Sequence, residues 1–457
     1  MVYPLPVVLA VANKHCFYDQ SIKYPLPIAA VNEVAQQTAD DQQAEQLSSW
    51  PLLHKKTLYT TIERLVNDTS PENTYRQSSY VSITGGGGGS TPLFFATDST
   101  ENRRQRAEFG RLIASTGVLS RRDLVVTMHS GGGLYRALDL TLEVMECAGA
   151  CALAAGSHMS APQVVNLLVR YRANVLSGDS SQIINVVNYL SALPAEERGQ
   201  VRLDKLVYTS EVLTAAQRAL VRATLGEDVR VCSLLASAEA GPWAVSNPGL
   251  TGERTAASSD FLYDTRTMTV EVLPMLEDGG DGKPLPDGEA GMIVLTSLSR
   301  LRNPLVRYVC GDVGSLSALP EAAAAQLPEA DRAHVRVLRL EGRDRRFSFS
   351  WQGNYVDFAN VAAVVEDPIY GVLQWQVVLE DRPVGGSGLE PHFELRVLLG
   401  AGREAIPVEE MAARVRVVVA LEEAARHMFA VVVAESTDGF EKSKTGNKVV
   451  RFIDRRE

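Results

Sequence analysis

"DLVVTMHSGGGLYRALDLTLEVMECAGACALAAG", residues 123–156, passes from a β-branched run through a glycine turn into a helical period and out into a second apolar run. The rhythm returns in "SAPQVVNLLVRYRANVLSGDSSQIINVVNYLSAL" (160–193) and in "LDKLVYTSEVLTAAQRALVRATLGEDVRVCSLLAS" (203–237). Repeated β–turn–α units predict an α/β fold with a mainly parallel sheet, because parallel strands need a crossover and a helix supplies it. From about residue 258 the pattern changes to strands in "DFLYDTRTMTVEVLPM", "GEAGMIVLTSLS" and "NPLVRYVCGDVG". A smaller unit follows "LRLEGRDRRFSFSWQGN", with predicted helices at 356–365 and 407–428 and strands in "QWQVVLED", "HFELRVLLG" and "FAVVVAE". Nearer the N-terminus, residues 30–48 read as a helix and a second helix follows Pro51.

The chain has 457 residues, enough for two or three domains. Its hydrophobic fraction of 45 % and charged fraction of 22 % are those of a globular protein in water. A net charge of -10 argues against nucleic-acid binding, which wants a basic face. No apolar run approaches the roughly 20 residues of a membrane span, and the N-terminus lacks a basic n-region, so neither membrane nor export is expected. Five cysteines without metal-type spacing predict reduced thiols and a cytoplasmic setting. Cys147 and Cys151 are expected on one apolar helix face.

"SITGGGGGSTPLFFATD" (82–98) places five glycines between two strand-like stretches. Such a run either is a linker or frees backbone N–H groups to close around oxyanions. Strand-like flanks on both sides favour the second reading. It is neither a Walker A loop nor a dinucleotide fingerprint, since no Gly-Lys-Ser/Thr follows and no helix opens from it.

The order of several motifs resembles the adenylate-forming superfamily (acyl-CoA synthetases, adenylation domains, luciferases), in its phenylacetate–CoA ligase-like branch. "SWPLLHKKTLY" is similar to the segment ahead of that family's phosphate loop, and the glycine run sits where the loop belongs. "LVYTSEVLTAAQRALVRATLG" is similar to the adenine-side strand and helix, and "LLASAEAGPWA" to the glutamate motif. "RYVCGDVG" resembles the Arg-Tyr-x-x-Gly-Asp segment, "LEGRDRRFSF" the hinge entrance, and "KSKTGNKVVRFIDRR" the C-terminal lysine motif.

The resemblance implies a large N-terminal ATP- and acyl-binding domain (1–341), a hinge (342–346) and a small mobile α+β lid (347–457). It implies ATP-dependent activation of a small carboxylic acid as an acyl-adenylate, then transfer to a thiol, with coenzyme A as acceptor. Transfer to an amine is the alternative, and a degenerate nucleotide- or acyl-binding scaffold is a third reading. Thr84, Gly85, Gly86, Gly87, Gly88, Gly89, Ser90 and Thr91 are implied around the phosphates, and Ser210, Glu211, Ser237 and Ala238 beside the nucleotide. Asp312 and Arg343 are implied on the ribose, Glu239 as the Mg²⁺ ligand, and Lys448 as the catalytic lysine, with Lys444 and Lys442 as rivals. Glu239 and Arg343 share the catalytic role with Lys448, while His129, Gly132, Gly133 and Ser237 are implied at the acyl substrate. Singly, Glu239 and Asp312 would be ordinary surface carboxylates; their places after strand-like segments fit a site at strand ends. Monomer and homodimer are both left open.

Overall fold

A computed structural model describes residues 2–39, 47–83, 94–209, 213–253, 258–275, 283–343, 348–351, 354–384, 388–400, 408–421, 423–442 and 448–456. Strand Ser79–Ile83 pairs antiparallel with Phe94–Asp98, Ile83 opposite Phe94. Residues 84–93, which hold the glycine run, therefore connect two neighbouring strands of one ribbon, as the flanking composition predicts.

Among the described residues the main sheet has eleven strands. In order they are Met268–Leu273, Gly291–Ser297, Tyr308–Ala318, Val335–Arg343, Ser259–Asp264, Gly241–Val245, Arg230–Ser237, Lys205–Thr209, Val175–Asp179, Leu124–Thr127 and Cys151–Ala154. The last five run parallel, and the first six pair antiparallel. The predicted parallel sheet is thus one half of a mixed one. Its central strands are apolar on both faces, with Val125, Val126, Val175, Leu176, Leu206 and Val207 buried, because helices cover both sides.

Those helices start where the sequence supplies acceptors for their orphan N–H groups. Asp98 accepts from the backbone of Thr100 (2.9 Å) and Glu101 (3.1 Å) to open Ser99–Ser115. Asp179 with Gln182, and Thr214 with Gln217, form capping boxes on Ser180–Ala192 and Ala215–Leu225. The "SGDSSQ" turn is accordingly a helix start.

Among the described residues the smaller unit's larger sheet has four strands, in the order Phe429–Ala434, Gly388–Leu399, Val372–Val384, Phe452–Asp454. The unit is filled by Phe349, Trp351, Trp375 and Phe393 and covered by helices Phe358–Val365 and Val408–Val418. Its Leu373, Leu398, Phe440 and Val449 join the apolar cluster of Val187, Leu206 and Leu213 in the main unit. The Gln217 side-chain amide also donates to the Leu373 carbonyl. The small unit is seated on the helical face of the large one.

Three local expectations differ from the structure. The helix expected over 407–428 ends at Val418, where Ala420 takes φ +49° and the Leu421 N–H reaches back to the Arg416 carbonyl (2.9 Å), a Schellman-type closure without glycine. The first of the early helices opens at Ile28, ahead of the expected start at 30, and is described to Ala39, with residues 40–46 outside the described residues. Cys147 closes helix Ala137–Cys147 and Cys151 opens the next strand, both exposed, because Gly149 at φ +91° turns the chain between them. Among the described residues no helix is long and apolar enough to cross a membrane.

Candidate functional site

Glu239 sits in the reversal between strands Arg230–Ser237 and Gly241–Val245, where Ser237 pairs with Gly241. The turn is built for its shape. The Ala240 N–H donates to Ser237 Oγ (3.0 Å), and Gln105 Nε2 donates to the Ala240 carbonyl (2.7 Å). Gly241 holds φ +70°, and a Cβ there would lie 2.8 Å from the Gln105 amide, so only glycine fits. The carboxylate itself is buried, at 5 % exposure. Its Oε1 accepts from Tyr59 Oη at 2.6 Å and faces Lys55 Nζ at 3.5 Å.

Burial pushes the Glu239 carboxyl up, but Lys55, the Tyr59 hydroxyl and a hydrogen bond from Tyr308 together outweigh it and hold it below its ordinary value. A buried, ionised carboxylate therefore stands at the sheet's strand-end turn. In return, burial and the Glu239 charge raise the Tyr308 phenol far above its ordinary value. Lys55 and Tyr59 lie one turn apart on helix Lys55–Asn67. That helix is docked by Leu53, whose N–H donates to Arg307 O (2.9 Å) and whose carbonyl accepts from Val309 N–H (3.0 Å). Sequence reading missed both residues; the available signal was their i, i+4 spacing just after Pro51.

Asp312 and Arg343 face each other as register partners on strands Tyr308–Ala318 and Val335–Arg343. Two motifs well separated in the chain thus meet on one pair of strands. The pairing slips by one residue between Val313 and Gly314, and Gly311 and Gly342 at φ +82° and +128° flank the carboxylate and the arginine. Arg343 ends its strand, and its side chain is outside the described residues.

The third group gathers at strand Leu124–Thr127. His129 follows it, is 1 % exposed, and has Nε2 at 3.3 Å from Ser177 Oγ. Burial, and after it the Lys448 charge, pull His129 down to about 3, so it is a neutral imidazole at physiological pH. Lys448 reaches this point from the small unit, with Nζ 5.9 Å from the Tyr135 ring centre. Gly132 and Gly133 lie in the exposed hairpin that carries Tyr135. The rival Lys442 is held on the small unit, where Nζ contacts Asp438 Oδ1 at 2.9 Å and its backbone bridges Val449.

Thr84, Gly85 to Gly89, Ser90, Thr91, Ser210, Glu211 and Lys444 lie outside the described residues. Ser237 is exposed and Ala238 half-buried at the Glu239 turn. Among the described residues no group of three or more His, Cys, Asp or Glu side chains is arranged to hold a metal. A cation at Glu239 would thus draw its other ligands from phosphate oxygens and water, as Mg²⁺ commonly does.

No family model matches the chain. A curated relative is indoleacetate–lysine synthetase of Pseudomonas savastanoi, 25 % identical over 262 residues, covering 54 % of each protein. The chain thus spans about half the length of that relative. Phenylacetate–coenzyme A ligase of Thermus thermophilus is 38 % identical over 71 residues, 16 % of this chain and 14 % of that one. Among solved structures, 2-hydroxyisobutyryl-CoA ligase in its postadenylation state with 2-HIB-AMP superposes with a TM-score of 0.64 at 18 % identity, covering 98 % of this chain and 87 % of the ligase. The same ligase in its thioesterification state, with CoA, gives a TM-score of 0.54 at 18 % identity, covering 99 % of this chain and 88 % of the ligase. The chain has the two-domain fold of adenylate-forming enzymes.

Proposed function

We propose that this protein uses ATP to activate a small carboxylic acid and then passes the acyl group to a nucleophile. The carboxylate oxygen attacks the α-phosphorus, the bond to the β-phosphate oxygen breaks, and pyrophosphate leaves. An acceptor then attacks the acyl carbon, AMP departs, and the acceptor's proton is released. Carrying this reading is one observation: Lys448 of the small unit is delivered to the turn that holds His129, at the end of the parallel sheet.

In the proposal each group has a physical task. The backbone amides of Gly85–Gly89, with the hydroxyls of Thr84, Ser90 and Thr91, wrap the β- and γ-phosphates. Asp312 accepts from the ribose hydroxyls, and Arg343 donates to the same sugar. Glu239 holds Mg²⁺, which when bound neutralises phosphate charge. Lys448 offsets the charge that builds on the α-phosphate during activation. Small residues at Gly132, Gly133 and Ser237 leave room for the acyl chain beside His129, and Ser210, Glu211, Ser237 and Ala238 lie by the nucleotide. The domains divide as 1–341 and 347–457, and rotation about 342–346 withdraws Lys448 and admits the acceptor.

Coenzyme A is the acceptor in the leading form of the proposal. An amine is the second reading, favoured by the alignment over 262 residues to indoleacetate–lysine synthetase. A cytoplasmic setting, with no nucleic-acid or membrane partner, completes the proposal. The test is pyrophosphate release from ATP across a panel of carboxylic acids, followed by addition of coenzyme A or of amines. Acid-dependent pyrophosphate is expected. A chain that binds nucleotide yet releases none with any acid is a scaffold, and the proposal fails.

A further inference from the structure

The hairpin between strand Leu124–Thr127 and helix Ala137–Cys147 carries the inference. Gly131 pairs with Arg136 and Gly132 with Tyr135, and the Leu138 N–H closes the base onto the Ser130 carbonyl at 2.9 Å. Gly132, Gly133 and Leu134 hold φ of +85°, +54° and +69°. Positive φ at both central residues, Gly133 and Leu134, is the pattern of a type I′ turn. A leucine in that conformation is strained, and Leu134 is also 73 % exposed, so folding of the core does not explain its place. What the turn achieves is to present the Tyr135 ring to Lys448 Nζ at 5.9 Å, within cation–π range.

The hairpin is also tied to the strand that leads into the glycine run. Tyr80 is bracketed by two guanidinium groups, Arg136 at 4.0 Å and Arg106 at 4.4 Å from its ring centre. Arg106 Nη1 bonds Asp139 (3.0 Å) and Glu143 (2.5 Å), and Arg136 Nη2 meets the same Asp139 at 3.0 Å. One stack therefore fixes the strand Ser79–Ile83, three residues before the end of its described part, and the residue next to Tyr135.

We propose that Tyr135 is the seat of the lid lysine: its ring, held by the Arg136–Tyr80–Arg106 stack, positions Lys448 for the activation step and not for transfer. The inference rests on the ligase reading for its kinetic consequence and on geometry alone for the contact. Tyr135 is a positioning residue, acting through Lys448. Losing the ring in Tyr135→Leu is expected to lower the rate of acid-dependent pyrophosphate release about 3- to 30-fold, the range of one cation–π contact. Transfer from supplied acyl-adenylate should stay near wild type. Tyr135→Phe keeps the ring and should restore most of the loss, and Tyr135→Leu should add nothing in a Lys448→Ala background. Equal loss of both half-reactions, or additivity with Lys448→Ala, overturns the proposal.

A second measurement needs no substrate. Trace reductive methylation of the unliganded full chain, read by mass spectrometry at Lys448, should run several-fold faster in Tyr135→Leu than in wild type or Tyr135→Phe. Equal labelling in all three overturns the seat whether or not an acid is found. Absence of pyrophosphate with every acid defeats the ligase reading and leaves the labelling to decide the contact.

Discussion

Replacing Glu239 separates what the carboxylate does for the fold from what it does for chemistry. Glu239→Gln keeps an amide oxygen where Tyr59 Oη now donates at 2.6 Å. The loss is then the difference between a charge-assisted and a neutral hydrogen bond, about 1 kcal/mol. Lys55 adds little, because its side chain is 56 % exposed and the 3.5 Å pair is screened by solvent. Glu239→Ala is different, since it removes the acceptor from the half-buried Tyr59 and from the buried Tyr308. Stranding those hydroxyls costs about 1–3 kcal/mol each, so about 2–6 kcal/mol in total. Urea unfolding of the three proteins measures these values. Pyrophosphate release at saturating Mg²⁺ measures the other role, and there Gln and Ala should be alike, both down about 100-fold or more if the carboxylate holds the cation. A fully active Glu239→Gln removes Glu239 from the phosphate chemistry. An Ala variant as stable as the Gln one refutes the hydrogen-bond account. The pH sign follows from the depressed carboxyl. Its stabilisation is complete above the ordinary value of 4.5 and is lost as the pH falls through the lower folded one.

Lys448→Ala is expected to slow acyl-adenylate formation about 100-fold or more while sparing transfer from a supplied acyl-adenylate; equal loss of both steps in a stopped-flow comparison counts against its role. Asp312→Ala should weaken ATP binding about 10- to 100-fold, the worth of charge-assisted bonds to a ribose, with calorimetry showing unchanged affinity as the refuting result. His15 and His129 are both buried and held neutral, at about 4 and about 3 against 6.5 when exposed. The unfolded chain gains protons below pH 6.5 that the folded one refuses, so stability should fall by about 1.4 kcal/mol per pH unit per histidine as the pH drops from 6.5 toward 4. Denaturation midpoints that stay flat from pH 7.5 to 5.5 would refute this. A Cβ at Gly314 would overlap the Arg339 carbonyl oxygen across the strand pair, so Gly314→Ala should cost about 3 kcal/mol or more by thermal unfolding; a neutral variant contradicts the register.

What the sequence reveals follows the range of the forces. The β–α–β half of the sheet is legible because its signals are local: Asp98, Asp179 and Thr214 each stand directly before a helical period and cap it. Asp312 and Arg343 are legible as motif residues, yet only the register makes them partners. The Lys55–Tyr59–Glu239 contact is illegible, since it joins residues 180 positions apart through a helix whose docking no local pattern encodes. The helix end at Val418 is missed because neither glycine nor proline marks it.

The segment before the Arg-Tyr-x-x-Gly-Asp motif shows why such contacts escape sequence reading. The segment "SRLRNPLVRY" carries three arginines, and all three are buried: Arg300 at 2 %, Arg302 at 3 % and Arg307 at 2 % exposure. Burial pulls the Arg300 guanidinium down to about 10. Each guanidinium is spent on the backbone or a side chain of a different element. Arg300 donates to the Glu239 carbonyl and to Gln105 Oε1 (3.2 Å). Arg302 donates to Thr74 O (2.6 Å) and pairs with Asp98 (3.3 Å). Arg307 donates to Trp50 O (2.8 Å) and pairs with Glu271 (3.1 Å). Between them Asn303 donates to the Ala96 carbonyl at 2.8 Å and accepts from His15 Nε2 at 3.3 Å, a direction fixed because His15 Nδ1 already accepts from Phe17 N–H. One short segment thus fastens the Glu239 turn, the strand that follows the glycine run, and the start of helix Ser99–Ser115. Removing one partner of a buried pair strands the other at a cost of about 3–5 kcal/mol. The charges therefore hold the candidate site's pieces in register more than they attract any ligand. A charge-rich stretch reads as solvent-facing by composition alone; it is the carbonyls and carboxylates it meets elsewhere in the chain that bring it inside.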